Sequence, residues 1–267
     1  IGDALVVGVT QSGETADTLA ALREAKAAGR RTLAVTNVVS STAARECDSR
    51  LYIRAGPEIG VAATKTFSSQ LTTLLLLAER LAADRSGGRT MSHELRDPLE
   101  ALPEQVQRVL DTTDASRLAE SYAGSDAYFF IGRDLAVPVA MEGALKLKEI
   151  SYEHAEGFAA GELKHGPLAL VTPSTPVFAI CDGRHTDRMV ATVEEVQARG
   201  APVIAVGPHD SPVASVADSH LPVPDTHPEL LGFLANVQLQ LFSYHTARLL
   251  DRPVDKPRNL AKSVTVE

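Results

Sequence analysis

A chain of 267 residues, 44% hydrophobic and 22% charged, has the composition of a globular protein with room for one large or two modest domains, which excludes extended disorder. A net charge of -8 and a pI near 5.5 exclude a surface that neutralises a phosphate backbone, so no nucleic-acid partner is expected and any bound phosphate should be small. Apolar runs such as Leu74 to Ala78 are far short of the ~20 residues a bilayer span needs, and Cys47 and Cys181 are too widely separated for a disulfide framework or metal knuckle. No membrane association, no metal and a reducing, cytoplasmic setting are the expectations.

In chain order, Leu5-Val6-Val7-Gly8-Val9 has the length and unbroken apolarity of a buried parallel strand. The loop Thr10-Gln11-Ser12-Gly13-Glu14-Thr15 follows, and then helix-periodic residues to Ala28-Gly29. Three hydroxyls, an amide and a glycine at the start of a helix suit a monophosphate, which the backbone N–H groups and the helix dipole attract. The alternative is that Ser12 or Thr15 only caps the helix. Leu33-Ala34-Val35 and Leu51-Tyr52-Ile53 read as the next strands, flanking a short helix from Thr42 to Glu46, and a long helix from about Lys65 to Ala83 closes the block. After Gly87-Gly88 a polar stretch with Pro98 and Pro103 reads as two or three short helices reaching Gly124.

The second half repeats the first. Val6, Thr15, Ala20, Glu24, Gly29 and Ala34-Val35 match Val177, Thr186, Ala191, Glu195, Gly200 and Ala205-Val206 at a constant offset of 171, while Asp48-Ser49 and Leu51 match Asp218-Ser219 and Leu221 at 170. Two copies of one α/β unit are expected. In the second copy the loop is Cys181-Asp182-Gly183-Arg184-His185-Thr186, which has lost most of the donors and gained an acid, so only the first copy should bind phosphate. The second copy also has a strand (Ala127 to Ile131) and a helix (about Val137 to Tyr152) ahead of its equivalent of Val6. The first copy has none, so roughly fifty residues are expected to precede Ile1. The expected organisation is a first domain over 1–86, a helical connector over 87–124, a second domain over 125–250 and a tail or lid over 251–267.

Glu142, Lys146, Glu149 and Glu153 recur at four, three and four residues and would share one helix face, which is either a solvated face or the wall of a site. His165, in Gly161-Glu162-Leu163-Lys164-His165-Gly166-Pro167-Leu168, is expected on a loop where imidazole titrates near neutral pH. A carboxylate, an imidazole and an amine suit sugar-phosphate isomerisation: ring opening, proton movement between adjacent carbons, and activation of a carbonyl as an imine. In the tail, Arg258-Asn259-Leu260-Ala261-Lys262-Ser263-Val264 either straps Leu260 and Val264 into a groove or carries Lys262 into a site.

Together these motifs resemble the isomerase part of the glutamine:fructose-6-phosphate aminotransferase (glucosamine-6-phosphate synthase) family, built from two sugar isomerase (SIS) domains. The resemblance runs through Gln11 to Thr18, Glu58-Ile59-Gly60-Val61-Ala62, Glu142 to Tyr152, Gly161 to Pro167 and the tail. It implies an α/β fold of two doubly wound, flavodoxin-like parallel-sheet subdomains, the first lacking its N-terminal strand and helix. It further implies that Thr10, Gln11, Ser12 and Thr15 contact the sugar phosphate, and that Val61, Ala63, Ala261 and Arg258 border the sugar or the closing tail. His165 would open the fructose ring, reaching a neighbouring subunit's site. Lys262 would meet the C2 carbonyl, Glu149 would move the proton between C1 and C2, and Lys146 would support it.

The implied partners are fructose 6-phosphate and glucosamine 6-phosphate, ammonia from a glutaminase domain outside this chain, and a second copy in a homodimer with shared sites; no cofactor is implied. Ala63 stands where the family usually has serine, a lost hydroxyl worth about 1 kcal/mol of binding. A non-catalytic sugar-phosphate sensor, or a plain isomerase or deaminase, are the other readings.

Overall fold

The computed structural model describes residues 4–85, 87 and 91–263. The opening apolar run forms β1 (Leu5–Thr10), followed by α1 (Ala16–Ala27), β2 (Arg31–Thr36), α2 (Thr42–Glu46), β3 (Ser49–Tyr52) and α3 (Lys65–Arg85). The three strands lie side by side in the order β1-β2-β3, parallel, with Gly8 opposite Ala34 and Ala34 opposite Arg50. Parallel neighbours need crossovers, which α1 and α2 supply. Leu19 and Leu22 of α1 meet Ala34, Ala43 and Cys47 in a small core. Gly8 makes that approach possible, since a Cβ there would stand 2.7 Å from Cδ1 of Leu22.

The later elements are α4 (His93–Thr112), α5 (Ala115–Tyr122), β4 (Tyr128–Gly132), α6 (Ala136–Ser151), β5 (Ala155–Ala159), β6 (Val177–Ile180), α7 (Thr186–Gln197), β7 (Val203–Pro208), α8 (Pro212–Val216), β8 (Ser219–Val223) and α9 (Leu231–Leu249). Their five strands form a parallel sheet ordered β5-β4-β6-β7-β8, a doubly wound arrangement in which the winding reverses beside β4. β4 and β6 are buried on both faces, as unbroken apolar runs require. Phe130 stacks on Phe178 with centroids 4.7 Å apart, and Phe178 lies 4.6 Å from Phe242 of α9. The chain divides into two compact units, Ile1–Met91 with Arg258–Glu267, and Ser92–Pro257.

The repeat extends to individual hydrogen bonds. Asp48 Oδ2 accepts the Thr32 N–H at 2.9 Å, and Asp218 Oδ2 accepts that of the matching Val203 at 2.8 Å. Ser41 caps α2 and Ser211 caps α8, each through its hydroxyl oxygen. Among the described residues nothing in the first unit corresponds to β4 and β5. Accordingly Leu5, Val7 and Val9 of β1 are 44%, 37% and 40% exposed, whereas the equivalent β6 is fully buried.

Two local expectations change. The stretch up to Gly124 holds two helices, within the expected two or three, but α4 is not short: it runs 20 residues with Pro98 and Pro103 inside it. Each proline removes an amide donor, but Leu95, Leu102 and Val109 keep one buried face, and α4 and α5 both pack against α9. Glu153 does not share the face of Glu142, Lys146 and Glu149, because Tyr152 adopts φ 68° and ends α6 before it.

Candidate active site

The loop after β1 is organised by its own hydroxyls. Thr10 is buried and its Oγ1 accepts the Gly13 N–H at 3.1 Å, while Ser12 Oγ accepts the Glu14 N–H at 3.2 Å. Gly13 has φ +71°, and a Cβ there would come within 2.2 Å of Ser41 Oγ, so glycine is required for both conformation and space. Thr15 occupies the cap position of α1, yet its side chain makes no capping hydrogen bond. The first amides of α1 are therefore not capped by the Thr15 side chain. Glu14 turns aside: its Oε1 accepts the Thr42 N–H at 2.8 Å, and that bond holds its carboxyl below the usual range.

Asn37, just past β2, ties this loop to the chain beyond β3. Its N–H donates to the Gln11 carbonyl at 3.1 Å; its Nδ2 donates to Gly56 O at 2.8 Å and its Oδ1 accepts from Ala55 N at 3.0 Å. Two residues further on is Glu58, whose side chain is 5% exposed. One carboxylate oxygen accepts the amides of Thr64 and Thr66 at 3.0 and 3.2 Å, at the start of α3. The other accepts Thr66 Oγ1 and Lys262 Nζ, each at 2.5 Å. Burial works to raise the Glu58 carboxyl, but Lys262, Thr66 and Thr64 overcome it and hold the group at about 2. The Lys262 ammonium also donates to Val61 O at 3.4 Å.

The tail is therefore held through its lysine. Leu260 is 46% exposed and is not the anchor of a strap, and Val264 lies outside the described residues. Arg258 and Ala261 are exposed on the same stretch, and Val61 and Ala63 are half-buried in the bends before α3. Neither Asn37 nor a role for Glu58 was visible in the sequence, because their partners are distant along the chain. The one available signal was the position of Glu58, shortly before a threonine-rich helix start.

In the second unit α6 places Lys146, 3% exposed, between two carboxylates. Its Nζ lies 3.5 Å from Glu142 Oε1 and bonds Glu149 Oε2. Burial raises the Glu142 carboxyl against the pull of Lys146. These side chains form a buried ionic triad and not a solvated face. His165 is exposed at the end of a 3-10 turn, Leu163–His165, and Lys164 beside it pairs with Glu195 at 2.6 Å. In the loop after β6, buried Asp182 stands where Gln11 does in the first copy, and Arg184 folds onto it at 2.6 Å. That loop carries its own anion. Burial also pushes the neighbouring Cys181 thiol up to about 12, and both cysteines are free and buried. Among the described residues no three His, Cys, Asp or Glu gather as metal ligands, and no helix is long and apolar enough to cross a membrane.

Paired parallel-sheet units, with a hydroxyl-rich loop feeding a helix start in only one of them, define a class. The SIS domain model matches residues 2–80 and 121–250, and the chain belongs to the SIS domain family. Within it, the chain is 55% identical to a glutamine–fructose-6-phosphate aminotransferase (isomerizing) of Halobacterium salinarum, over 99% of this chain and 44% of the relative. It thus spans less than half the length of that relative. Among solved structures, the C-terminal domain of glucosamine-fructose-6-phosphate aminotransferase from Francisella tularensis is 34% identical with a TM-score of 0.84, over 95% of this chain and 72% of that one. Glucosamine-6-phosphate deaminase from Thermotoga maritima is 26% identical with a TM-score of 0.79, over 99% and 76%.

Proposed function

We propose that this chain is the sugar-isomerising portion of a glutamine–fructose-6-phosphate aminotransferase, acting on fructose 6-phosphate to give glucosamine 6-phosphate. The observation that carries the reading is the bonded line from Gln11 through Asn37 to Ala55 and Gly56, and on to Glu58 and Lys262. It joins a loop suited to a phosphate to a lysine suited to a carbonyl. A module that only sensed sugar phosphate would need the loop and no restrained lysine.

In this proposal Thr10, Gln11, Ser12 and Thr15 receive the phosphate, with Val61, Ala63, Ala261 and Arg258 bordering the sugar. Lys262 leaves Glu58 to engage the C2 carbonyl, Glu149 takes a proton from C1 and returns it to C2, and Lys146 supports that step by orienting Glu149. His165 opens the ring and serves the site of a second copy, which makes the working form a homodimer. Ammonia comes from a glutaminase region outside this chain, no cofactor takes part, and the setting is cytoplasmic, consistent with two buried free thiols.

The test is to incubate the purified protein with fructose 6-phosphate, with and without an ammonium salt, and to follow glucose 6-phosphate and glucosamine 6-phosphate. Either product supports the proposal. Saturable binding with no turnover, in this chain and in a longer protein containing it, would favour the sensor.

A further inference from the structure

The second unit contains an open cleft of about 220 Å³ at the carboxyl ends of its strands, bordered by Gly132, Arg133, Asp134, Gly161, His185 and Arg188. We propose that this cleft is a second, separate site for a small phosphate-bearing molecule, independent of the loop after β1. Three observations carry it. The first is topology. The cleft lies between the segments that follow β4 and β6, where the strand order reverses, and open α/β sheets bind ligands in such a crevice.

The second is charge. Asp134 and Asp182, the acids of these segments, are both engaged by Arg184, at 3.4 and 2.6 Å. Among the described residues no carboxylate pairs with Arg133 or Arg188, so two guanidiniums and the His185 imidazole border the cleft, while Asp134 and Asp182 share Arg184. The third is preorganisation. Arg133 is held by Nη2, which donates to Thr192 Oγ1 at 3.1 Å, while Nη1 points toward Gly161, where an added Cβ would lie 3.7 Å from it. Gly161 leaves that edge of the guanidinium open, and a planar guanidinium edge suits two oxygens of a phosphate.

The volume is below the roughly 300 Å³ at which drug-sized pockets begin, so the ligand is small: a phosphate monoester and not a dinucleotide. The second copy of the repeat has lost most of the hydroxyls of its loop after β6, and it carries arginines around the crevice instead, with Arg188 at the position matching Asp17.

The test is a phosphate titration followed by 31P NMR line broadening, using inorganic phosphate and then fructose 6-phosphate, on four forms: unaltered, Ser12→Ala with Thr15→Ala, Arg188→Gln, and Arg133→Gln. Two saturable events are expected. The double loop variant should remove one, and Arg188→Gln should weaken the other by about tenfold, the loss expected for one charge-assisted hydrogen bond. Arg188 is exposed, so its variant should fold even if Arg133→Gln does not. A single event abolished by the loop variant, or a second event that neither arginine variant alters, would overturn the proposal. Failure of the loop variant to change either event would instead count against the proposed substrate site and leave the arginine cleft standing.

Discussion

The Lys262 ammonium lies 2.5 Å from Glu58 Oε2, a contact that joins residues 204 apart in sequence. The same carboxylate receives the first amides of α3, so the tail is fixed to a helix start through one shared acid. A lysine held as an ammonium cannot attack a carbonyl. In the proposed mechanism the paired state is therefore the resting one, and substrate draws Lys262 off Glu58.

Lys262→Met should abolish turnover of fructose 6-phosphate, by about 10²-fold or more in kcat, because the methionine keeps the length and loses the amine. Phosphate affinity at the loop after β1 should change little. Paired kinetics and binding measurements check this; unchanged kcat would return the tail to a structural role.

Glu58→Gln retains an oxygen that can accept the Thr64 and Thr66 amides but removes the charge that holds Lys262. The tail should become several-fold more susceptible to limited proteolysis near Lys262, because the charge that holds it is gone. Equal cleavage rates in both proteins would show that other contacts hold the tail.

The same pair sets a pH dependence. The Glu58 carboxyl is depressed from 4.5 to about 2, so its contribution is complete above pH 4.5 and is lost as pH falls toward 2. Tail amide signals in NMR should shift progressively over that window in the unaltered chain. In Glu58→Gln they should show no such step.

What was legible in the sequence was whatever is written locally. β1 and β6 are unbroken apolar runs, each followed by a turn and a periodic helix, and the 171-residue offset marks them as copies without any knowledge of contacts. α4 misled because proline is a local breaker, whereas its burial against α9 is a tertiary fact. Glu153 misled for the opposite reason: spacing cannot show that Tyr152 turns left-handed. Asn37 and Glu58 were silent because a hydrogen-bond partner across the fold leaves no periodic trace.

Gly13→Ala should disable the phosphate loop. The added methyl group meets Ser41, which cannot withdraw without giving up its cap on α2, and the backbone must hold φ +71°. A loss of about 1–3 kcal/mol in stability is expected, along with weakened phosphate binding. Denaturant unfolding and the phosphate titration measure both. A variant of undiminished stability would mean that the loop relaxes freely.

Lys146→Met would leave Glu142 and Glu149 facing each other with no cation between them. Breaking a buried ionic cluster costs about 3–5 kcal/mol. The destabilisation should be largest at neutral pH and shrink in acid, because burial already raises the Glu142 carboxyl and removing the lysine raises it further, so that protonation relieves the repulsion. Unfolding curves at pH 7 and pH 5 distinguish this from simple loss of packing, which would not vary with pH.

Asn37 makes one rigid bracket of two segments that belong to different turns of the winding, with its backbone on Gln11 and its amide on Ala55 and Gly56. A phosphate seated at the first segment would bear directly on the second, which ends at the carboxylate that parks the lysine. In the proposed reaction the phosphate takes no part in the chemistry at C1 and C2. Through this bracket it can still act as a remote handle, its affinity converted into readiness of the amine and not merely into retention of the sugar.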